Sequence, residues 1–300
     1  MRAVQFTRYG GPEVLTWGES AEPHPGPGQV RVRVRAASVN PIDAKKMTGL
    51  LAGGAPLEGV GVVGVDAAGV VDEVGDGVVG TSVGDEVFGL GAGTQAEYAV
   101  LRAWATKPPA ASWAESAAVA LTGETAERGW RLLAVPEGGT VFVDGGAGGV
   151  GSVAVQLAVA RGLSVIASAG EGNQEYLHRL GARPVLSGEG VARRVRDIAA
   201  GPVDAVFDVV GKTPAEELVS LVEEPRRVLS IANFGAGQAG AQVTGGGEDS
   251  RPEEAMALVA DLLARGALRV PVEVLTMDRA GAAYAAILGG HVRGKLVLVP

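Results

Sequence analysis

The chain has no cysteine, which excludes disulfides, thiolate catalysis and every cysteine-ligated metal. Histidine is nearly as scarce. His24, His178 and His291 lie in unrelated contexts with no partner at i+4, so no tetrahedral nitrogen–sulfur site can be assembled. Each reads as a solvated surface residue. Aromatics make up only 4% of the residues; with so much alanine and glycine, this points to an open or adaptable pocket and not to a particular occupant. No basic segment with an apolar core opens the chain, and no uncharged apolar run reaches about 18 residues. The expected setting is therefore cytoplasmic, without a membrane anchor. Positive charge is in deficit as well: a net charge of −8 argues against nucleic acid or an anionic membrane as the main partner.

What is present is an ordinary soluble composition, 47% hydrophobic and 20% charged, in 300 residues, a length comfortable for two domains. The most informative stretch is Thr140 to Leu157, TVFVDGGAGGVGSVAVQL. A short strand closes on Asp144 and runs into Gly146-Ala147-Gly148-Gly149-Val150-Gly151, a literal G-x-G-x-x-G. A helical pattern follows, with Val150, Val153, Ala154, Leu157 and Ala158 on one face. Strand, glycine turn and helix in this order point to a dinucleotide site. Gly146 suits the tight turn, Gly148 the approach of a pyrophosphate, and Gly151 close packing of helix on strand. Free N–H groups at the helix start, aided by the helix dipole, face the phosphates. With 47 glycines in the chain chance matches are expected, and Gly64 to Gly69 is glycine-rich too, but it opens no helix.

Before Pro108 the sequence reads as β structure with glycine turns. Residues 29–37 alternate valine and arginine at period 2, a strand with one buried and one wet face. Further strands are expected at 62–66, 69–74, 85–89 and 96–101, with helical character only near 43–47, so an antiparallel, partly barrel-like domain is the simplest account. Ser112-Trp113-Ala114-Glu115 is a capping box opening a helix to about Leu133. Beyond the glycine turn, strands at 164–168, 184–186, 204–209 and 227–232 alternate with helices at 174–180, 191–200, 214–221 and 251–265, implying a doubly wound parallel sheet. Residues 234–250, rich in glycine, read as the least structured segment, a candidate mobile flap. The tail returns to strand, helix and strand (270–275, 278–288, 295–299) and is expected to rejoin the first domain.

The ordered set of motifs resembles the medium-chain dehydrogenase/reductase superfamily, and within it the zinc-independent quinone oxidoreductase branch. The resemblance rests on residues 37–43 (ASVNPID), 64–71 (GVDAAGVV), 120–126 (ALTGETA), the glycine turn, 208–211 (DVVG) and 294–298 (GKLVL), and covers essentially the full length. It implies an α/β architecture: a GroES-like β-rich substrate and catalytic domain over 1–113 and 266–300, and a Rossmann doubly wound domain over 114–265. The zinc-dependent members use a cysteine and a His-Glu pair; here there is no cysteine, and Val65-Asp66 stands in place of the pair.

Without zinc, the implied activity is hydride transfer from NADPH to a quinone or an α,β-unsaturated carbonyl, with the enolate oxygen stabilised by hydrogen bonds. By resemblance Asn40 lies beside the nicotinamide and donates to a substrate oxygen, although a turn residue before Pro41 explains it too. Asp43 is a further catalytic candidate, with capping of the short helix as the alternative. Thr122 matches a position at the nicotinamide, with back-bonding within its helix as the alternative. Lys295 matches a cofactor-side lysine. The cofactor set implied is Gly146, Gly148, Gly149, Val150, Gly151, Ser168, Asn173, Arg179, Asp208, Val209, Ser230, Ala232, Phe234 and Lys295.

The choice of NADPH rests on the second strand of the Rossmann domain, which ends Ala167-Ser168-Ala169-Gly170 without the acid an NAD enzyme places on the ribose. Ser168 is expected to donate to the 2′-phosphate, with Asn173 and Arg179 nearby, while Glu171 is the ribose ligand if the turn bends back. A short-chain dehydrogenase is excluded, because the residues four beyond Tyr9, Tyr98, Tyr176 and Tyr284 are Glu13, Arg102, Leu180 and Leu288, none of them lysine. A stand-alone enoyl reductase of a biosynthetic pathway and a non-catalytic NADPH-binding protein remain as alternatives. A docking patch for a carrier would have to come from Arg193, Arg194 and Arg196, which read as a solvated helix face. The resemblance also implies a homodimer joined at a sheet edge near residues 242–244.

Overall fold

The computed structural model describes residues 1–199, 201–290 and 292–300. His291, expected at the surface, lies outside them. In chain order the strands are β1 Arg2–Phe6, β2 Thr16–Glu19, β3 Val30–Ser38, β4 Gly61–Val62, β5 Asp66–Val74, β6 Glu86–Ala92, β7 Tyr98–Thr106, β8 Thr140–Asp144, β9 Ser164–Ala169, β10 Arg183–Leu186, β11 Ala205–Asp208, β12 Val228–Ser230, β13 Gln242–Val243, β14 Val272–Thr276 and β15 Lys295–Val299. The helices are α1 Pro41–Met47, α2 Trp113–Leu133, α3 Gly149–Ala160, α4 Gln174–Arg179, α5 Val191–Ala199, α6 Ala215–Val219, α7 Pro252–Ala264 and α8 Ala280–Gly289. The chain forms two compact units, residues 1–121 with 252–300, and residues 122–251.

In the first unit β3 buries its valines while Arg33 and Arg35 face solvent, as the period-2 pattern requires. It pairs antiparallel with β5 and with β7, and β6 bridges β5 and β7, so these four strands close on themselves. The closure leaves β3, β5, β6 and β7 without a free edge among themselves. The tail joins the same sheet: β15 pairs antiparallel with β3, Val297 opposite Ser38, and β14 lies parallel to β15. The expected strand over 62–66 is instead broken. β4 ends at Val62 and β5 begins at Asp66, because Gly64 takes φ +108 and turns the chain between them.

The second unit is one parallel sheet in the order β10-β9-β8-β11-β12-β13. Numbered from its own first strand this is 3-2-1-4-5-6, the doubly wound order in which ligands bind beyond the carboxyl ends of the strands where the order reverses. Its central strands are apolar on both faces, as a sheet covered by helices on each side must be. On one face Phe142, Ile166 and Val206 pack with Leu218 and Leu221. Elsewhere Trp130 of α2 meets the Phe207 ring edge-on at 5.3 Å and donates its indole N–H to Ala154 O of α3 at 2.9 Å.

Two expectations change here. Residues 234–250 are not a free flap: they contain two short 3₁₀ turns and the edge strand β13. A buried ion pair on α2 holds them. Arg128 Nε donates to Glu124 Oε1 at 3.0 Å, Arg128 Nη1 to Thr244 Oγ1 at 2.9 Å, and Ser250 Oγ to Glu124 Oε1 at 2.7 Å. Nor is the α5 arginine cluster simply a solvated face. Arg194 donates to the carbonyls of Leu186, Gly188 and Glu189, and Arg196 to that of Ser220, so both guanidinium groups fasten neighbouring loops.

The capping box forms as the spacing predicts: Glu115 N donates to Ser112 Oγ at 3.1 Å and Ser112 N to Glu115 Oε2 at 2.8 Å. The Ser112 N–H, and then the Ser112 hydroxyl, which donates to the same carboxyl oxygen at 2.8 Å, hold Glu115 below the usual range. Ser112→Ala is expected to lower stability by about 1 kcal/mol, read as a fall in the thermal midpoint of roughly 2–4 °C. An unchanged midpoint would remove the cap from the account of how α2 begins.

Candidate functional site

At the carboxyl end of the second unit's sheet a single layer of polar side chains crosses four strands. Asp144 on β8 is opposite Asp208 on β11, and Asp208 is opposite Ser230 on β12. Ser168 on β9 follows Ala167, the partner of Val143. All four are buried. Ser168 Oγ donates to Asp144 Oδ1 at 2.5 Å, Thr213 Oγ1 to Asp144 Oδ2 at 2.7 Å, and Ser230 Oγ to Asp208 Oδ2 at 2.7 Å. Burial is the largest influence on Asp144 and raises its carboxyl above the usual range. The Ser168 and Thr213 hydrogen bonds oppose it, while the charges of Asp208 and Glu217 add to it.

This layer holds the loops above it. Gly145 N donates to Ser168 Oγ and Gly146 N to Ser168 O, each at 2.9 Å. Val210 N and Gly211 N donate to Asp208 Oδ1 at 3.1 and 2.7 Å, and Ala232 N and Asn233 N to Ser230 Oγ at 3.2 and 2.9 Å. The turn after β8 then opens α3, whose N-cap, Gly148, supplies no side-chain bond to the first turn. A Cβ at Gly146 would meet Ala167 Cβ at 2.8 Å, and one at Gly151 would meet Gly145 O at 2.1 Å. A Cβ at Gly148 would find only Gly145 O, at 3.7 Å. Two glycines are therefore required by the protein's own packing, while the third keeps space open above the turn. A backbone cradle of this kind, with unshared N–H groups, fits the pyrophosphate of a dinucleotide.

The structure separates the expected cofactor residues into two groups. Gly148, Gly149 and Val150 stand at the half-buried helix start, Asn173, Val209 and Ala232 are half-buried in the following loops, and Arg179 and Phe234 are exposed. Ser168, Asp208 and Ser230 instead point inward. The expected bond from Ser168 to a 2′-phosphate is corrected, because its one hydroxyl hydrogen is given to Asp144. Asp208 and Ser230 likewise spend their bonds on each other and on the loops. Thr122 is buried within α2. Asp144 was not among the residues expected; an acid closing a buried strand just before a phosphate loop was the signal for it.

The first unit holds a second buried cluster. Asp66 accepts from Ser38 Oγ at 2.7 Å, from Asn40 Nδ2 at 2.9 Å and from Leu121 N at 3.2 Å. Lys295 Nζ donates to Val39 O at 2.7 Å and to Asn40 Oδ1 at 2.5 Å. Gln95 Nε2 donates to Ser38 O at 3.0 Å and to the Tyr284 hydroxyl at 2.8 Å. Asn40 thus directs its amide hydrogens at Asp66 and Ser38, not outward as a substrate donor requires. Lys295 is tied to Asn40 inside the first unit. Asp43 does not cap α1: the N-cap is Asn40, and Asp43 Oδ1 accepts from Gly64 N at 3.1 Å. Its Oδ2 has no well-formed hydrogen bond among the described residues.

The electrostatics follow from burial. Burial, then the charge of Asp66, pushes Asp43 up to about 7, against Lys46, the Gly64 N–H and Lys295. Burial lowers Lys295, while Asp66 and Asp43 oppose that. Burial and the charge of Asp43 raise the Tyr284 hydroxyl well above its ordinary value, against the Gln95 bond. His24 and His178 are exposed, and among the described residues no group of three or more acids and histidines could hold a metal ion.

Comparison with known proteins gives the same two parts. Residues 26–110 match the alcohol dehydrogenase GroES-like domain, and residues 149–245 match the family described as zinc-binding dehydrogenase. The chain is 30% identical to a quinone oxidoreductase of Pseudomonas aeruginosa over 328 aligned positions, covering 100% of this chain and 99% of the relative. It is 35% identical to a 2-methylene-furan-3-one reductase of Solanum lycopersicum over 247 positions, 77% of this chain and 62% of that protein. A mycobacterial structure solved with NADPH superposes at a TM-score of 0.86 with 27% identity, covering 100% of both chains. The chain is an oxidoreductase that belongs to the medium-chain dehydrogenase/reductase superfamily, among its quinone oxidoreductases.

Proposed function

We propose that the protein is an NADPH-dependent, zinc-independent reductase of quinones or α,β-unsaturated carbonyls. The observation that carries this reading is the glycine turn, where packing requires Gly146 and Gly151 and space is left open at Gly148. The N–H groups of Gly149, Val150 and Gly151 hold the pyrophosphate, while Val209, Ala232 and Phe234 line the loops beside it. Thr122 is the residue proposed for the nicotinamide end. When bound, NADPH supplies the hydride for the electrophilic carbon. With no cysteine in the chain and Asp66 committed to Ser38, Asn40 and Leu121, the donor set of a zinc alcohol dehydrogenase is not available.

The NADPH preference rests on β9, which ends at Ala169 and runs into Gly170 with no acid for a ribose hydroxyl, and draws support from the mycobacterial NADPH complex. With Ser168 turned inward, Asn173 and Arg179 are left to meet a 2′-phosphate. NADPH should bind at least tenfold tighter than NADH, about 1.4 kcal/mol, and NADPH oxidation by a quinone panel should survive prolonged chelation. Equal affinities would promote Glu171 to ribose ligand, and activity restored by added zinc would overturn the metal-free reading. Turnover of an enoyl thioester in preference to every quinone would select the enoyl reductase alternative.

Asp43 is proposed to hold a proton near neutrality, so that Asp66 and Lys295 balance each other inside the first unit. A carboxyl raised from 3.8 to about 7 on folding makes the folded state bind the proton more tightly. Its stabilising contribution is complete below about pH 4 and is lost as pH rises through about 7. Asp43→Asn keeps an acceptor for Gly64 N and removes the titration. Denaturant unfolding of parent and variant from pH 5 to 9 should show the variant gaining on the parent as pH rises. Parallel curves would mean that Asp43 stays ionised in the fold.

A homodimer joined through β13 is also proposed. This two-residue strand is the last of its sheet, and Val243 is 38% exposed there. Light scattering at micromolar concentration should give twice the chain mass, and Val243→Lys should shift it toward the monomer. A parent that is already monomeric contradicts the proposal.

A further inference from the structure

We propose that Asp144 and Ser168 are positioning residues for the dinucleotide, acting on the glycine turn and not on the 2′-phosphate. The inference rests on the reading of that turn as the pyrophosphate site. Gly145 takes φ +94 and begins the reversal after β8. Its N–H and that of Gly146 are both received by one residue of the neighbouring strand, Ser168, through Oγ and O. A serine hydroxyl rotates freely unless its hydrogen is directed. Here the hydrogen goes to Asp144 Oδ1, which leaves the oxygen lone pairs for Gly145 N–H. Asp144 is fixed in turn from the loop after β11 by Thr213.

The carboxylate has no electrostatic reason to be there. A buried acid beneath a turn that receives a diphosphate repels the ligand, and Asp208 on the adjacent strand adds a second negative charge. What Asp144 contributes is therefore geometric: it sets the hydroxyl that sets the first amide of the turn. Preorganised N–H groups bind better than ones that must be ordered by the ligand.

The direct-ligand and positioning readings differ in which cofactors they affect. NADPH and NADH share the pyrophosphate, and only NADPH carries the 2′-phosphate. Affinities of both, read by nicotinamide fluorescence, should fall together about tenfold in Ser168→Ala, leaving their ratio unchanged. Asp144→Ala should behave alike, and the double variant should be no weaker than either single one, because the two residues act in series. Asp144→Asn, which keeps an acceptor for the Ser168 hydroxyl, should stay within about threefold of the parent. Loss confined to NADPH would restore Ser168 as a phosphate ligand and overturn the proposal. Unaltered affinities, additive losses, or an Asp144→Asn variant as weak as Asp144→Ala would also overturn it. A parent that binds neither cofactor overturns the dinucleotide reading itself, whereas a parent that binds both beside unaffected variants overturns this inference alone.

Discussion

The requirement that a buried carboxylate be fully hydrogen-bonded governs the second unit. Asp144 lies at the end of a strand covered on both faces, where an unpaired charge would cost several kcal/mol. Its oxygens must find donors, and they come from the strand on one side and the loop on the other. Ser168 and Thr213 answer that demand, and in doing so they tie β8, β9 and the loop after β11 to one point. Asp208 repeats the arrangement with Ser230 and two loop amides. The loops after β8, β11 and β12 are all set by a layer one residue deep.

The first unit solves a similar problem with a different balance. Asp66, Asp43 and Lys295 are buried together, two acids and one base, so balance requires a proton on one acid, and Asp43 is the acid proposed to hold it. The hydrogen bonds around it are made by Ser38, Asn40, Gln95 and Tyr284, drawn from β3, the N-cap of α1, the segment before β7 and α8. These elements are far apart in sequence. The cluster can assemble only because β15 returns to pair with β3 and brings Lys295 against Val39 and Asn40.

The sequence was legible where the signal is local. The capping box, the valine–arginine alternation of β3, and the strand–turn–helix around Gly146 each carry their information within about fifteen residues, and the structure forms each of them. What was not legible depends on partners remote in sequence. Nothing within residues 234–250 indicates that Glu124 and Arg128 will hold that segment. Likewise Asn40 reads as an outward donor until Asp66, twenty-six residues on, takes its amide hydrogen. The sequence places Ser168 at the end of a strand, but strand position fixes which face a side chain takes only when the register of the neighbouring strand is known.

The inward turn of Ser168 also bears on how such a site distinguishes cofactors. A strand end without an acid lacks the group that favours a ribose hydroxyl, but absence of an acid is not by itself a phosphate site. On the NADPH reading the 2′-phosphate needs donors of its own, and the candidates are Asn173, half-buried just before α4, and Arg179, exposed at the C-terminal end of that helix. Arg179 is shared with Glu175 at 3.7 Å across an exposed pair, an interaction worth little in water and easily exchanged for a dianion. On the proposed reading, positioning of the turn falls to buried, hydrogen-bonded groups, and discrimination to groups nearer the surface. Under that reading, cofactor preference can be altered at the surface without disturbing the layer beneath it.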